Sequence, residues 1–339
     1  MELLHIFETA VNAIIPIVLV IFLGFLLKTR GFLSQGFIKQ GNALVFRVLL
    51  PCLLFINVYK IENLAAIPWD LVIYSCCMLV ILFLIGLATV NFATSVPERK
   101  GVILQSVFRS NTAIIGISLA SSLGGDPAVG VAAVITAFSI PILNTLAVIS
   151  LTIFVDHGEK VSVKSILWNI AKNPLIDGIA LGAVCLLIRT MQQKYLGRVV
   201  FSISGNLRFF YLAINQLSSI ASPFALLVLG GQFSFSSSAS MLKEIIIGTL
   251  WRIFLAPLIA IGGAFLLSAA GLLHCGAAEY PALIALFGTP VAVSSAIMAG
   301  QMHNDEQLAT QLVVWTSIAS IATMFLTVCI LMSAGLLAV

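Results

Sequence analysis

The chain has 339 residues, of which 60% are hydrophobic and only 9% charged, with a formal net charge of +4, whereas soluble domains carry about 25% charged residues. This excludes a water-soluble domain, a disordered chain and a disulfide scaffold, and the lack of strand-like alternation excludes a β-barrel. With a mean hydropathy of +1.13 the chain reads as an all-α polytopic membrane protein, because about 20 apolar residues make one spanning helix.

Ten apolar segments of that length follow one another at 11–27, 41–58, 69–92, 101–123, 128–155, 166–188, 209–233, 245–266, 282–302 and 308–337. The first lacks a basic leader and a small-residue cleavage site, so it reads as an uncleaved helix. Each connection is too short for a domain. With the N-terminus outside, the inner connections carry eight basic residues (Lys28, Arg30, Lys39, Arg99, Lys100, Lys160, Lys164, Lys243). The outer ones carry five (Lys60, Arg189, Lys194, Arg198, Arg208). The excess predicts both termini outside.

Residues 1–157 and 158–339 read as two copies of a five-helix unit. Pro51 and Pro223 lie 172 positions apart in the second and seventh spans, and Asn111 and Pro290 lie 179 apart in the fourth and ninth. Five crossings per copy invert the topology of the second, an arrangement from which many secondary transporters build a midplane site.

Two interruptions carry the chemistry. The fourth span reads Arg109-Ser110-Asn111-Thr112-Ala113-Ile114-Ile115-Gly116-Ile117-Ser118. If the helix unwinds there, freed N–H groups and the positive end of the second half-helix suit an anion, with Asn111 and Thr112 as donors. Hydrogen bonding between packed helices explains the same residues equally well. The ninth span holds Gly288-Thr289-Pro290, then Ser294-Ser295. Proline breaks or kinks a helix and frees carbonyls, with Thr289 and Ser294 as local partners.

Arg47, Arg109 and Arg252 lie in apolar runs, where a charge costs at least about 2.5 kcal/mol and faces a cavity or a partner. Arg109 is placed to attract an anion or to snorkel to the interface. Arg47 and Arg252 are expected to tie helices through backbone carbonyls. Asp70, opening the third span, is a helix cap or a site for a coupling proton. Ser218, Ser219 and Ser222 before Pro223 read as close packing. Gly124-Gly125-Asp126 matches a fragment of intramembrane aspartyl proteases, without the second acid. The four histidines show no metal spacing, and the six cysteines read as buried free thiols. The basic residues are scattered rather than clustered, which argues against nucleic acid as a partner.

Taken in order, these residues resemble the auxin efflux carrier family of ten-helix transporters, over nearly the whole chain. Asn111, Thr112 and Gly116 fit its fourth-helix pattern, with Ser118 at the position of a proline. Pro290, Ala292, Val293, Ala299 and Gln301 fit its ninth. Pro51 with Leu53 and Leu54, Asn173 to Ile176, Pro223 with Gly230, and Arg252 with Pro257 add further matches. The resemblance implies a dimerising scaffold of helices 1, 2, 6 and 7, a transport unit with crossed, broken helices 4 and 9, and elevator motion. It implies that Asn111 contacts a carboxylate with Pro290 opposite. It also implies that Asp70 corresponds to a supporting acid whose basic companion is here Tyr74. The sequence thus predicts a secondary active carrier of a small organic anion in an inner membrane of bacterial type, needing no cofactor, nucleotide, metal or catalytic residue. Substrate contacts are expected at Asn111, Thr112, Gly116, Arg109, Pro290, Thr289 and Ser294, with Asp70 as coupling candidate. A sodium-coupled symporter of the bile-acid carrier type is the alternative.

Overall fold

The computed structural model describes residues 2–60, 68–155, 174–233 and 239–337. Its elements are almost all helices, and prolines set much of their shape. Helix α1 (Glu2–Thr29) is followed by α2 (Gln35–Leu44), capped by Ser34, whose hydroxyl accepts from Phe37 N at 3.1 Å. A wide π turn at Val45–Leu49 then leads into α3 (Leu50–Tyr59). Pro51 has no N–H, and its ring crowds the carbonyl four residues back; one wide turn relieves both problems. The same solution precedes Pro257, with a π turn at Trp251–Leu255.

Helix α4 (Trp69–Ala93) and α5 (Pro97–Phe108) come next, then a π turn at Thr112–Gly116 and α6 (Ile117–Thr152). Gly125 bends α6 with φ 58° and ψ −154°, a conformation open to glycine alone, and this bend falls where a polar connection is expected. Helices α7 (Pro174–Leu196), α8 (Ile203–Asn206) and α9 (Arg208–Gln232) precede α10 (Leu242–Leu250) and α11 (Ala256–Ala269). Finally α12 (Glu279–Leu283) widens into a π turn at Ile284–Gly288, followed by α13 (Ser294–Gln301) and α14 (Glu306–Ser333).

Among the described residues six helical stretches are long and apolar enough to cross a membrane, where the sequence predicts ten spans: Gln35–Ile56, Trp69–Ala93, Thr112–Thr152, Arg208–Gln232, Leu242–Ala269 and Glu306–Ser333. Part of the difference has a plain cause. The fourth and ninth spans are cut, leaving α5 with 12 residues and α13 with 8, and the second half of the fourth runs into the fifth across the Gly125 bend. The expected repeat boundary at residues 157 and 158 lies outside the described residues.

Helices α1, α3, α7 and α9 pack on one another, and α4, α5, α6 and α12 form a second neighbourhood. The α1–α9 crossing is backbone against backbone: a Cβ on Gly24 would meet Leu227 O at 1.9 Å, and one on Gly230 would meet Ile21 O at 1.8 Å. All six cysteines are free, but none is fully buried and Cys77 is exposed, which corrects the expectation of buried thiols. Arg47 is also corrected. It is exposed on its π turn and reaches no carbonyl among the described residues.

Candidate crossover site

Both interruptions are real breaks. Helix α5 stops at Phe108, and Arg109 takes an extended conformation (φ −84°, ψ 97°); the ninth span stops at Gly288, with Thr289 extended (φ −80°, ψ 155°). The two extended segments lie antiparallel, with Ser110 opposite Val291. Asn111 N donates to Pro290 O at 2.8 Å and Ala292 N to Arg109 O at 3.2 Å. Each break thus satisfies backbone groups that the other frees, as a low-dielectric setting demands. The remaining Val291 N–H donates to Thr316 Oγ1 on α14 at 3.1 Å. Beside the pairing, Gly116 meets the backbone of Ala285, where a Cβ would lie 2.5 Å from the carbonyl oxygen. Gly116, expected among the substrate contacts, is what lets the two wide turns touch.

Charge is distributed unevenly here. The last carbonyls of a helix have no intrahelical partner and form its negative end. The wholly buried Arg252 gathers those of both first halves: Nε donates to Thr289 O at 2.9 Å, Nη1 to Val107 O at 3.1 Å, and Nη2 to Leu286 O at 3.4 Å and to Phe287 O. The expected tie through carbonyls holds for Arg252. Arg109 is 5% exposed and does not snorkel. It donates to Asn144 Oδ1 at 3.1 Å, Ser294 Oγ at 3.2 Å and Met298 Sδ at 2.6 Å, three neutral acceptors. Both negative helix ends are matched by one cation, while the positive end at Ser294 has a further cation, Arg109, beside it.

Other expected contacts turn elsewhere. Thr289 Oγ1 donates to Ala285 O at 2.9 Å, Thr112 shares a hydrogen bond of 2.7 Å with Ser110, and Pro290 is buried in the pairing. Asn111 is 3% exposed and its Nδ2 has no partner among the described residues; there, too, Ser295, 2% exposed, leaves its Oγ unpartnered. Ser295, Asn144 and Thr316 were not among the expected site residues. Their only sequence signal is a polar side chain in an apolar span. Asp70 is engaged away from the breaks. Its Oδ1 accepts from Leu71 N at 2.9 Å, and its Oδ2 accepts from His274 N at 3.0 Å and lies 3.1 Å from His274 Nδ1.

A cavity of about 390 Å³ opens next to the start of α6. Ile117, Ser118 and Ser121 form one wall, Leu53 and Ile56 of α3 a second, and Asn215, Ser218, Ser219 and Ser222 of α9 a third. The serines expected to serve packing therefore line open space. A second hollow, beside Ile115 and between α1 and α14, measures only about 40 Å³ and is almost wholly apolar.

Broken, mutually paired helices of this kind occur within residues 9–328, which match the family described as membrane transport protein. The chain belongs to this family, that of the PIN-like auxin efflux carriers. No curated protein sequence matches it. In this transporter the break forms although Ser118 stands where the family pattern has proline, and Ser118 Oγ donates to Ile114 O at 2.9 Å. At the basic position after Asp70, Tyr74 donates its hydroxyl to the Ala260 carbonyl, so α4 is tied to α11 by a neutral group.

Proposed function

We propose that this transporter is a secondary active carrier of a small carboxylate, worked by elevator-type alternating access about the paired breaks. One observation carries the reading: each break keeps one buried hydrogen-bond donor without an acceptor among the described residues, Asn111 Nδ2 and Ser295 Oγ. A buried donor left unpaired costs about 1–3 kcal/mol. A carboxylate supplies the missing acceptors and the negative charge that the two half-helix N-termini and Arg109 favour. Neither protein carboxylates nor a nucleotide is needed at this place.

Asn111 is then the principal contact, with the Thr112 N–H region and Ser295 around it; Arg109 acts from behind through Ser294, and Pro290 shapes the facing wall. Helices α1, α3, α7 and α9 form the stationary, dimerising scaffold, and the neighbourhood around the breaks moves. The cavity of about 390 Å³ beside the start of α6 is the open approach of this state, and transport closes it and opens one from the opposite face. Both termini lie outside an inner membrane of bacterial type.

Uptake of radiolabelled malate, succinate and indoleacetate into proteoliposomes, with and without pH or sodium gradients, tests the proposal. The expected result is saturable uptake of at least one of them. Losing a hydrogen bond to a charged ligand costs about 1.5–3 kcal/mol, so Asn111→Ala raises the half-saturation concentration about ten- to a hundredfold. Because the same change deletes an unpaired buried donor, the thermal midpoint of the unliganded protein does not fall. Uptake that fails to saturate, or that ignores Asn111→Ala, overturns the proposal.

A further inference from the structure

The mouth of the large cavity holds one ion pair, and it joins the two packing neighbourhoods. Lys60 follows the last turn of α3, while Asp126 follows the Gly125 bend of α6. Lys60 Nζ lies 3.9 Å from Asp126 Oδ2, and the side chains are 51% and 89% exposed. Both line the cavity, Lys60 as its one cation and Asp126 as its one anion among the described lining residues. The rest of the lining is aliphatic, hydroxyl or amide. A pair so long and so wet contributes little to stability. For the same reason its partners exchange readily.

We propose that Lys60 and Asp126 form an exchangeable electrostatic gate. The carboxylate of an incoming anion replaces Asp126 on the Lys60 ammonium before it reaches Asn111. Asp126 competes for that ammonium and thereby sets the half-saturation concentration from this side. Because Lys60 belongs to the α3 neighbourhood and Asp126 to that of the breaks, the exchange also unties the two parts that must move past one another. The gate rests on the carrier reading above.

The gate and a plain structural tie predict different signs. If the pair only holds parts together, Lys60→Gln and Asp126→Asn break the same contact and act alike. If it is a gate, they act oppositely. From the range for exposed pairs, Asp126→Asn lowers the half-saturation concentration of the transported anion about two- to fivefold and Lys60→Gln raises it at least as much. Both effects shrink at high salt. The gain from Asp126→Asn disappears in the Lys60→Gln background, since Asp126 acts through Lys60. Asp126 is so exposed that its variant folds, and it decides the matter alone if Lys60→Gln is poorly expressed.

The experiment is the proteoliposome assay with malate, succinate and indoleacetate, run on these three variants beside Asn111→Ala. Opposite shifts support the gate. Shifts of the same sign, or none, while Asn111→Ala still weakens saturable uptake, overturn the gate and leave the carrier standing. No saturable uptake of any of the three by the unaltered protein overturns both.

Discussion

Replacing Arg252 tests how the two breaks are held. Its guanidinium is 0% exposed and donates to carbonyls of Val107, Leu286, Phe287 and Thr289, which terminate both first half-helices. Arg252→Met leaves at least three of these carbonyls buried without a donor, each costing about 1–3 kcal/mol. Removing the charge returns part of this, because a buried ion carries a desolvation penalty of its own. The net loss is at least about 3 kcal/mol, a large share of a typical total stability of about 5–15 kcal/mol. At about 2 °C per kcal/mol for a chain of this size, the thermal midpoint in detergent falls by at least about 6 °C. Arg252→Lys keeps the charge and up to three donors, so it lies between the two. Scanning fluorimetry with size-exclusion chromatography measures both variants. An Arg252→Met protein within about 2 °C of the unaltered one would refute the assignment of Arg252 as the clamp on both helix ends.

Three further outcomes follow from the geometry. Gly116→Ala puts a Cβ 2.5 Å from Ala285 O; such overpacking costs about 1–3 kcal/mol, and saturable uptake is lost with it, whereas an unchanged midpoint and uptake would count against the contact. Thr316→Val keeps the shape but removes the acceptor of Val291 N, lowering stability by about 1–3 kcal/mol; chemical denaturation showing no change would sink that assignment. Burial, followed by the Glu279 and Asp70 carboxylates, pushes the Cys275 thiol in the connection before α12 up to about 12. In a variant with Cys275 as its only cysteine, maleimide labelling at pH 8 is therefore slow and quickens about tenfold per pH unit. Glu279→Gln speeds it, and labelling at the rate of an exposed thiol would contradict the placement.

The sequence marked where the breaks lie, through polar side chains at 110–112 and a proline at 290, but packing between unbroken helices would have accounted for 110–112 equally well. The mutual pairing of the breaks was suggested only by matching positions in the two halves. The roles of the arginines were not legible. Arg47 and Arg252 each sit on a π turn shortly before a proline, yet one faces outward and the other enters the center of the protein; tertiary facing, which local sequence does not encode, decides between them. Among the described residues Arg252 also binds only main-chain oxygens, which carry no residue identity. Gly116 read as part of a binding loop because small size serves a ligand and a helix crossing alike. The cavity arises from three helices distant in sequence, so its serines, taken one helix at a time, looked like packing.

The central claim is that the paired breaks form a positively biased, donor-bearing seat for a carboxylate, with Asn111 and Ser295 as the waiting donors. A structure determined with a transported carboxylate bound tests it most directly. The account predicts a carboxylate oxygen within hydrogen-bond distance of Asn111 Nδ2, beside the start of the helical turn at Thr112. A carboxylate held elsewhere, with the Asn111 amide still unpartnered, would contradict it.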